Sequence, residues 1–182
     1  MNERISALFG VIGPLVALIV IVVSIVLSPW FSWQSNALSD LGHAVSSSVA
    51  PLFNFGLFVT GFFIIIYAIK ALKNYAKYSS YCLLISAVAL QLAGVFDEVY
   101  GILHLLIAIL LFASMGFSSV IYTIEKRSVL ALSALIIGLS SWILLWTGTY
   151  DAGIAVPETV SAIAVTLWII PSAFQIYLGK TC

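Results

Sequence analysis

Charge is what this chain lacks most. Only 8% of its 182 residues are Asp, Glu, Lys or Arg, seven acids against seven bases. With 63% hydrophobic residues and a mean hydropathy of +1.19, so little charge excludes a soluble globular protein, which has to cover its surface with polar groups. The formal net charge of zero offers no basic field for a polyanion, so no nucleic-acid partner is expected. Two cysteines, Cys82 and Cys182, cannot make a disulfide framework and read as structurally neutral. There is no His-x-x-x-His, Cys-x-x-Cys, phosphate loop, dinucleotide fingerprint or haem motif, and no serine stands in a nucleophile elbow. No cleavable leader is expected either. The segment before the first apolar run has no net positive side-chain charge (Glu3 against Arg4), the run is too long, and no small-residue cleavage site precedes Pro29. That run is expected to stay as a first helix.

What the chain has instead is apolar length. Six runs approach or exceed the roughly 20 residues that cross a bilayer as helix. They predict helices over about Ser6 to Ser28, Val49 to Leu72, Tyr78 to Phe96, Val99 to Ile124, Ser128 to Trp146 and Pro157 to Leu178. Pro51 suits a first helical turn, where a missing N–H costs little, and Pro171 is expected to kink the last helix without breaking it. The fold class is therefore all-α: a polytopic membrane protein, with residues 1–182 forming a single domain of six transmembrane helices in one bundle. The longest polar stretch, Trp30 to Ser48, has too many aromatics and too few charges for a disordered segment. Within it Asn36 to His43 reads as a short ordered element that Gly42 could close. The loop is expected to lie over the mouth of the bundle, with Phe31 or Trp33 in the membrane interface.

The cations set an orientation. Arg4, Lys70, Lys73, Lys77, Lys126, Arg127 and Lys180 fall at the N-terminus, the 2–3 and 4–5 connections and the C-terminus, and none in the other three connections. By the positive-inside bias this predicts a multi-pass protein of the cell membrane with both termini cytoplasmic. Asp40, Asp97, Glu98, Asp151 and Glu158, and both histidines, fall on the outer side, together with an aromatic belt that includes Trp30, Trp33, Trp142 and Trp146.

The stretch Gly94-Val95-Phe96-Asp97-Glu98, running on to His104, concentrates ionisable groups between helices 3 and 4. It has an echo 54 residues later (94 to 148) in Gly148-Thr149-Tyr150-Asp151, then Glu158. Seven residues are close to two helical turns, so Asp97 and His104 would share a face, as would Asp151 and Glu158, were each segment helical throughout. His104 would then lie roughly 7–8 Å down helix 4. Ionisable groups at membrane depth face a bundle interior or cavity, so a shared ligand pocket is expected from Asp40, His43, Asp97, Glu98, His104, Asp151 and Glu158. His104 and Asp97 are the candidate catalytic pair, since proton transfer needs only a histidine and a carboxylate. His43 and His104 are the candidate ligands for a divalent metal. Each residue also has a structural reading. His104 could bond a carbonyl or Gln91, Asp97 and Asp151 could cap helices, Glu98 could face water, and Asp40 and His43 could shape the loop.

The patterns Trp33-x-x-Asn36-x-x-Ser39-Asp40-Leu41-Gly42, Phe53-Asn54-x-Gly56, and Gly94-x-Phe96-x-Glu98 with His104 make the chain resemble the domain-of-unknown-function family numbered 998, small polytopic prokaryotic, often archaeal, membrane proteins. Many relatives have Pro after that Phe, where this chain has Asp97, and an Arg after the late Glu, where it has Thr159. The resemblance implies six helices and a shared outer polar site, and brings no established activity. Three functions compete. One is a binder of a lipid head group or small ligand, or a member of a membrane assembly or homo-oligomer, with membrane lipids as its partners. The second is an integral membrane hydrolase acting on lipids, with His104, Asp97 and a metal. The third is an ion or proton transporter, which the lack of a polar relay toward the cytoplasm disfavours.

Overall fold

The computed structural model describes residues 2–179; Lys180 and Cys182 lie outside them. Six helices are long and apolar enough to cross a bilayer: α1 (Glu3–Val26), α2 (Ala50–Tyr75), α3 (Lys77–Val95), α4 (Ile102–Lys126), α5 (Val129–Trp146) and α6 (Ala155–Tyr177). No strand occurs among the described residues. The chain enters and leaves at the same end, where the Arg4 guanidinium lies beside Gly179. The described cations gather at this end. Asp40, Asp97, Glu98, Asp151 and Glu158 lie at the other, acidic end.

Local chemistry sets the helix ends. Asn2 Oδ1 accepts from the Arg4 N–H at 3.2 Å and starts α1. Pro51 sits in the first turn of α2. The first turn of α3 is capped from outside, because the Glu125 carboxylate accepts the N–H groups of Tyr78 and Ser79, both at 2.9 Å, and the Ser79 hydroxyl. Ser128 Oγ caps α5 by accepting from the Ala131 N–H at 3.2 Å. Pro171 lies inside α6 without ending it.

Two apolar cores fill the bundle. In the basic half, Tyr67, Leu72, Tyr122 and Trp168 pack with the small residues of α3, α5 and α6. Their polar atoms are satisfied internally, with the Tyr67 hydroxyl 2.6 Å from Ser172 Oγ and the Trp168 indole N–H donating to Ser119 Oγ at 3.0 Å. In the acidic half, Val20, Ile21, Val49 and Phe53 close over Leu38, Leu41 and Ala155. The α1–α2 loop is thus part of the core, with Leu41 wholly buried, and residues Leu38–Gly42 form a 3-10 turn.

Three starts differ from expectation. α1 begins at Glu3 and not near Ser6, because Asn2 caps it. α4 begins at Ile102 and not near Val99, because Glu98–Tyr100 form a separate 3-10 turn that Gly101 closes at φ +55°, a backbone conformation natural to glycine. α6 begins two residues before Pro157.

Candidate functional site

The α1–α2 loop is built by its own polar side chains. Asn36 Oδ1 accepts from the Ser32 N–H at 2.8 Å, while its Nδ2 donates to Asp40 Oδ2 at 2.6 Å. The same carboxylate oxygen accepts from the Ala37 N–H at 3.0 Å and so caps the 3-10 turn. Asn54 Nδ2, from α2, donates to the Gly42 carbonyl at 2.8 Å. His43 Nδ1 accepts from the N–H groups of Val45 and Ser46 at 3.3 and 3.2 Å, a loop-shaping role. The finished loop is bonded to the start of α6. Trp33 O accepts from Gly153 N–H at 2.8 Å, Asn36 O from Ala155 N–H at 2.9 Å, and Glu158 Oε2 from Leu38 N–H at 2.6 Å.

This crossing brings carboxyl groups together. Glu98 lies in hydrogen-bonding contact with Asp40, Glu158 is close enough to act on Glu98, and Asp40 is close enough to act on Glu158. Ser39 Oγ donates to Glu98 Oε1 at 3.5 Å, while Glu98 Oε2 is buried with no donor facing it. Two carboxyls can touch in this way only if one keeps a proton. Burial, then the hydrogen bond and charge of Asp40, push Glu98 up to about 7. Burial also opposes the charge on Asp40. Hydrogen bonds from Glu98, Asn36 and the Ala37 N–H, with His43 nearby, outweigh it and hold Asp40 below its usual range. The proton therefore sits on Glu98 and is offered to Asp40.

Asp97 and His104 are placed by different means from the two-turn spacing. Asp97 Oδ1 accepts from the Val99 N–H at 2.9 Å and caps the 98–100 turn. Gly101 breaks the helix between the two residues, so His104 stands in the first turn of α4 and not deep within it. Its Nδ1 lies 2.8 Å from Phe96 O. A carbonyl only accepts, so Nδ1 carries the hydrogen and Nε2 is left to accept or to be protonated. Gln91 is engaged elsewhere, donating to Phe58 O at 3.1 Å. The echo fails for the same kind of reason. Gly94 packs inside α3 against Asn54 O, whereas Gly148 forms a left-handed turn at φ +66°. Asp151 precedes α6 in irregular backbone and is exposed, while Glu158 is buried within α6.

Two cavities meet at this end. Asp97, His104 and Glu158, with Asn54 and Ser39, line a cavity of about 160 Å³ whose other walls are mostly apolar side chains of α1, α2, α3, α4 and α6, with the hydroxyl residues Thr60, Ser86 and Thr166 among them. A larger groove of about 760 Å³ lies between α4 on one side and α5 and α6 on the other. Ser39, Glu98, His104 and Glu158 line it, and the rest of its wall is mostly apolar. Leu105, Ile109, Leu139 and Trp146 belong to it and are more than half exposed, so it opens sideways on the lipid-facing surface. Asp40, His43 and Asp151 line neither space. Among the described residues no three His, Cys, Asp or Glu side chains converge to hold a metal. No hydrogen bond joins His104 to Asp97, or any serine to His104, among those residues.

Residues 11–175 match the family described as "Protein of unknown function (DUF998)". The chain belongs to that family. No curated protein and no solved structure matches it. In this DUF998 chain the residues that carried the resemblance are largely those that build the loop: Asn36, Asp40, Gly42 and Asn54. A Cβ on Gly42 would collide with the Asn54 amide oxygen, so the pair forms one fitted contact. Sequence reasoning missed the groove, which owes its width to Ala108 and Gly116 on α4 and Ala134 and Gly138 on α5. Small residues in membrane helices normally mark close packing. Here a Cβ on Gly116 would meet no atom within 4 Å, whereas one on Gly61 would lie 2.6 Å from the Ala87 carbonyl oxygen. Composition alone cannot tell these two uses of glycine apart.

Proposed function

We propose that this DUF998 protein is a multi-pass protein of the cell membrane, its termini cytoplasmic, that binds a lipid. The head group sits at the outward-facing carboxyl mouth and the hydrocarbon chain lies in the groove between α4 and α5–α6. One observation carries this reading: Glu98, His104 and Glu158 share a single laterally open groove with apolar residues of three helices. The lining of α4 runs from His104 to Ser119, about 22 Å at 1.5 Å per residue, a length suited to an acyl or isoprenoid chain. Membrane lipid is as apolar as the groove wall, so chain burial adds little net attraction; the head-group contacts decide what binds.

Gly116→Phe tests the reading, because the space beside Gly116 is open and the new ring occupies the groove without displacing a neighbour. Wild type purified in mild detergent is expected to carry lipid in near-stoichiometric amount by native mass spectrometry, and the variant to lose most of it at unchanged thermal stability. Equal lipid content in both proteins would overturn it.

A further inference from the structure

The mouth of the groove has a one-sided chemistry. Glu98, Glu158 and His104 line it, Asp40 backs Glu98, and Asp97 lines the adjoining cavity with Glu158. No described lysine or arginine lies at this end of the bundle; Arg4, Lys70, Lys73, Lys77, Lys126 and Arg127 are all at the other. The carboxylates also keep spare acceptor capacity. Glu158 is only 8% exposed, yet just one of its oxygens is bonded among the described residues, to the Leu38 N–H. Glu98 Oε2 is buried and receives no donor. An acidic mouth with a carboxylate oxygen of Glu158 left without a donor, and with no described lysine or arginine at its end of the bundle, lacks positive charge carrying N–H groups.

We propose that the mouth selects a lipid whose head is a primary ammonium, with Glu158 accepting its N–H hydrogen bonds, the Asp40–Glu98 carboxyl pair holding a shared negative charge beside it, and the chain lying in the groove. The inference rests on the lipid-binding reading and adds the class of head group. A phosphate or carboxylate head would meet acids with no cation to balance it. A hydroxyl head could donate one hydrogen bond but would leave the charge unmatched. A quaternary ammonium would supply charge without N–H donors. A divalent ion is not served, since among the described residues no three ligating side chains converge.

The test uses the full chain in nanodiscs and four amphiphiles of one chain length: an alkylamine, the alcohol, the fatty acid and the alkyltrimethylammonium. Trp142 and Trp146 line the groove, so tryptophan fluorescence reports occupancy. At neutral pH the amine is expected to bind about tenfold or more tighter than the alcohol, the gain of one charge-assisted hydrogen bond, with the trimethylammonium between them and the fatty acid weakest. Glu158→Gln, which keeps an acceptor for Leu38, should reduce the preference for the amine over the alcohol to about threefold or less; an undiminished preference would overturn the assignment. If alcohol or fatty acid binds as tightly as the amine, and Gly116→Phe abolishes all of it, the ammonium assignment is wrong and the lipid groove stands. Equal binding of amine and trimethylammonium removes the N–H requirement and overturns the assignment. If no amphiphile binds and Gly116→Phe changes nothing, both readings fail together.

Discussion

The backbone N–H of Leu38 donates to Glu158 Oε2 at 2.6 Å, across 120 residues of sequence. One carboxylate therefore does two things. It closes the start of the 3-10 turn that carries Ser39 and Asp40, and it lines both cavities at the acidic end. The loop is held in place by the same side chain that lines the groove.

Glu158→Ala should consequently loosen the loop. It leaves the Leu38 N–H, on a residue only 7% exposed, without an acceptor, which costs about 1–3 kcal/mol. Hydrogen exchange at Leu38 to Gly42 is expected to accelerate, while exchange in α3 stays as in wild type. Glu158→Gln, with an amide oxygen in the same place, should restore most of the protection. Unchanged exchange in the alanine variant would show that the bond does not anchor the loop.

The carboxyl contact predicts a pH dependence of stability. Glu98 is raised to about 7, so between the ordinary glutamate range and neutrality the folded protein keeps a proton that the unfolded chain has released. Stability must then fall as pH rises through that window and level off above it. Asp40, held low, acts with the opposite sign and only at more acid pH, where its contribution is lost as the pH falls. Between about pH 5 and pH 8 the melting temperature of wild type in detergent is expected to drop by about 2–4 °C, and that of Glu98→Gln to change less. A wild-type curve that rises across this range would contradict the shared proton.

Two glycines should respond oppositely to alanine. At Gly61 the added methyl meets the Ala87 carbonyl oxygen at 2.6 Å, a backbone atom that cannot step aside, so α2 and α3 must separate at a cost of about 1–3 kcal/mol. At Gly116 the methyl enters open space and helix propensity gains up to about 1 kcal/mol. Thermal melts of Gly61→Ala and Gly116→Ala side by side check this; a similar loss in both would mean that the groove is closed.

The orientation can be read by labelling in a background with Cys82 and Cys182 replaced by serine. Ser46 and Asn74 are exposed at opposite ends of the bundle. An impermeant maleimide added outside intact cells should label Ser46→Cys and not Asn74→Cys. The reverse pattern would invert the topology and place the carboxyl mouth in the cytoplasm.

The sequence by itself determined the six spans, the helical class and the segregation of bases from acids. These are local quantities. A bilayer asks each segment for about 20 apolar residues and penalises each charge separately, so a single run carries its own answer. The ordered loop was legible in the same way, from aromatics and small polar residues that bond their own backbone. Which acids meet was decided only in three dimensions. The spacing argument joined Asp97 to His104 and Asp151 to Glu158 through continuous helices, but one left-handed residue, Gly101, and the irregular backbone before Ala155 undo that continuity. The contacts that formed instead, Glu98 with Asp40 and Glu158 with Leu38, link different connections and exist because the α1–α2 loop crosses to α6. The groove is likewise a tertiary fact. Gly116 and Gly138 lie on helices whose small faces leave a space between them, and no local pattern distinguishes a glycine that lets backbones touch from one that leaves room for a guest.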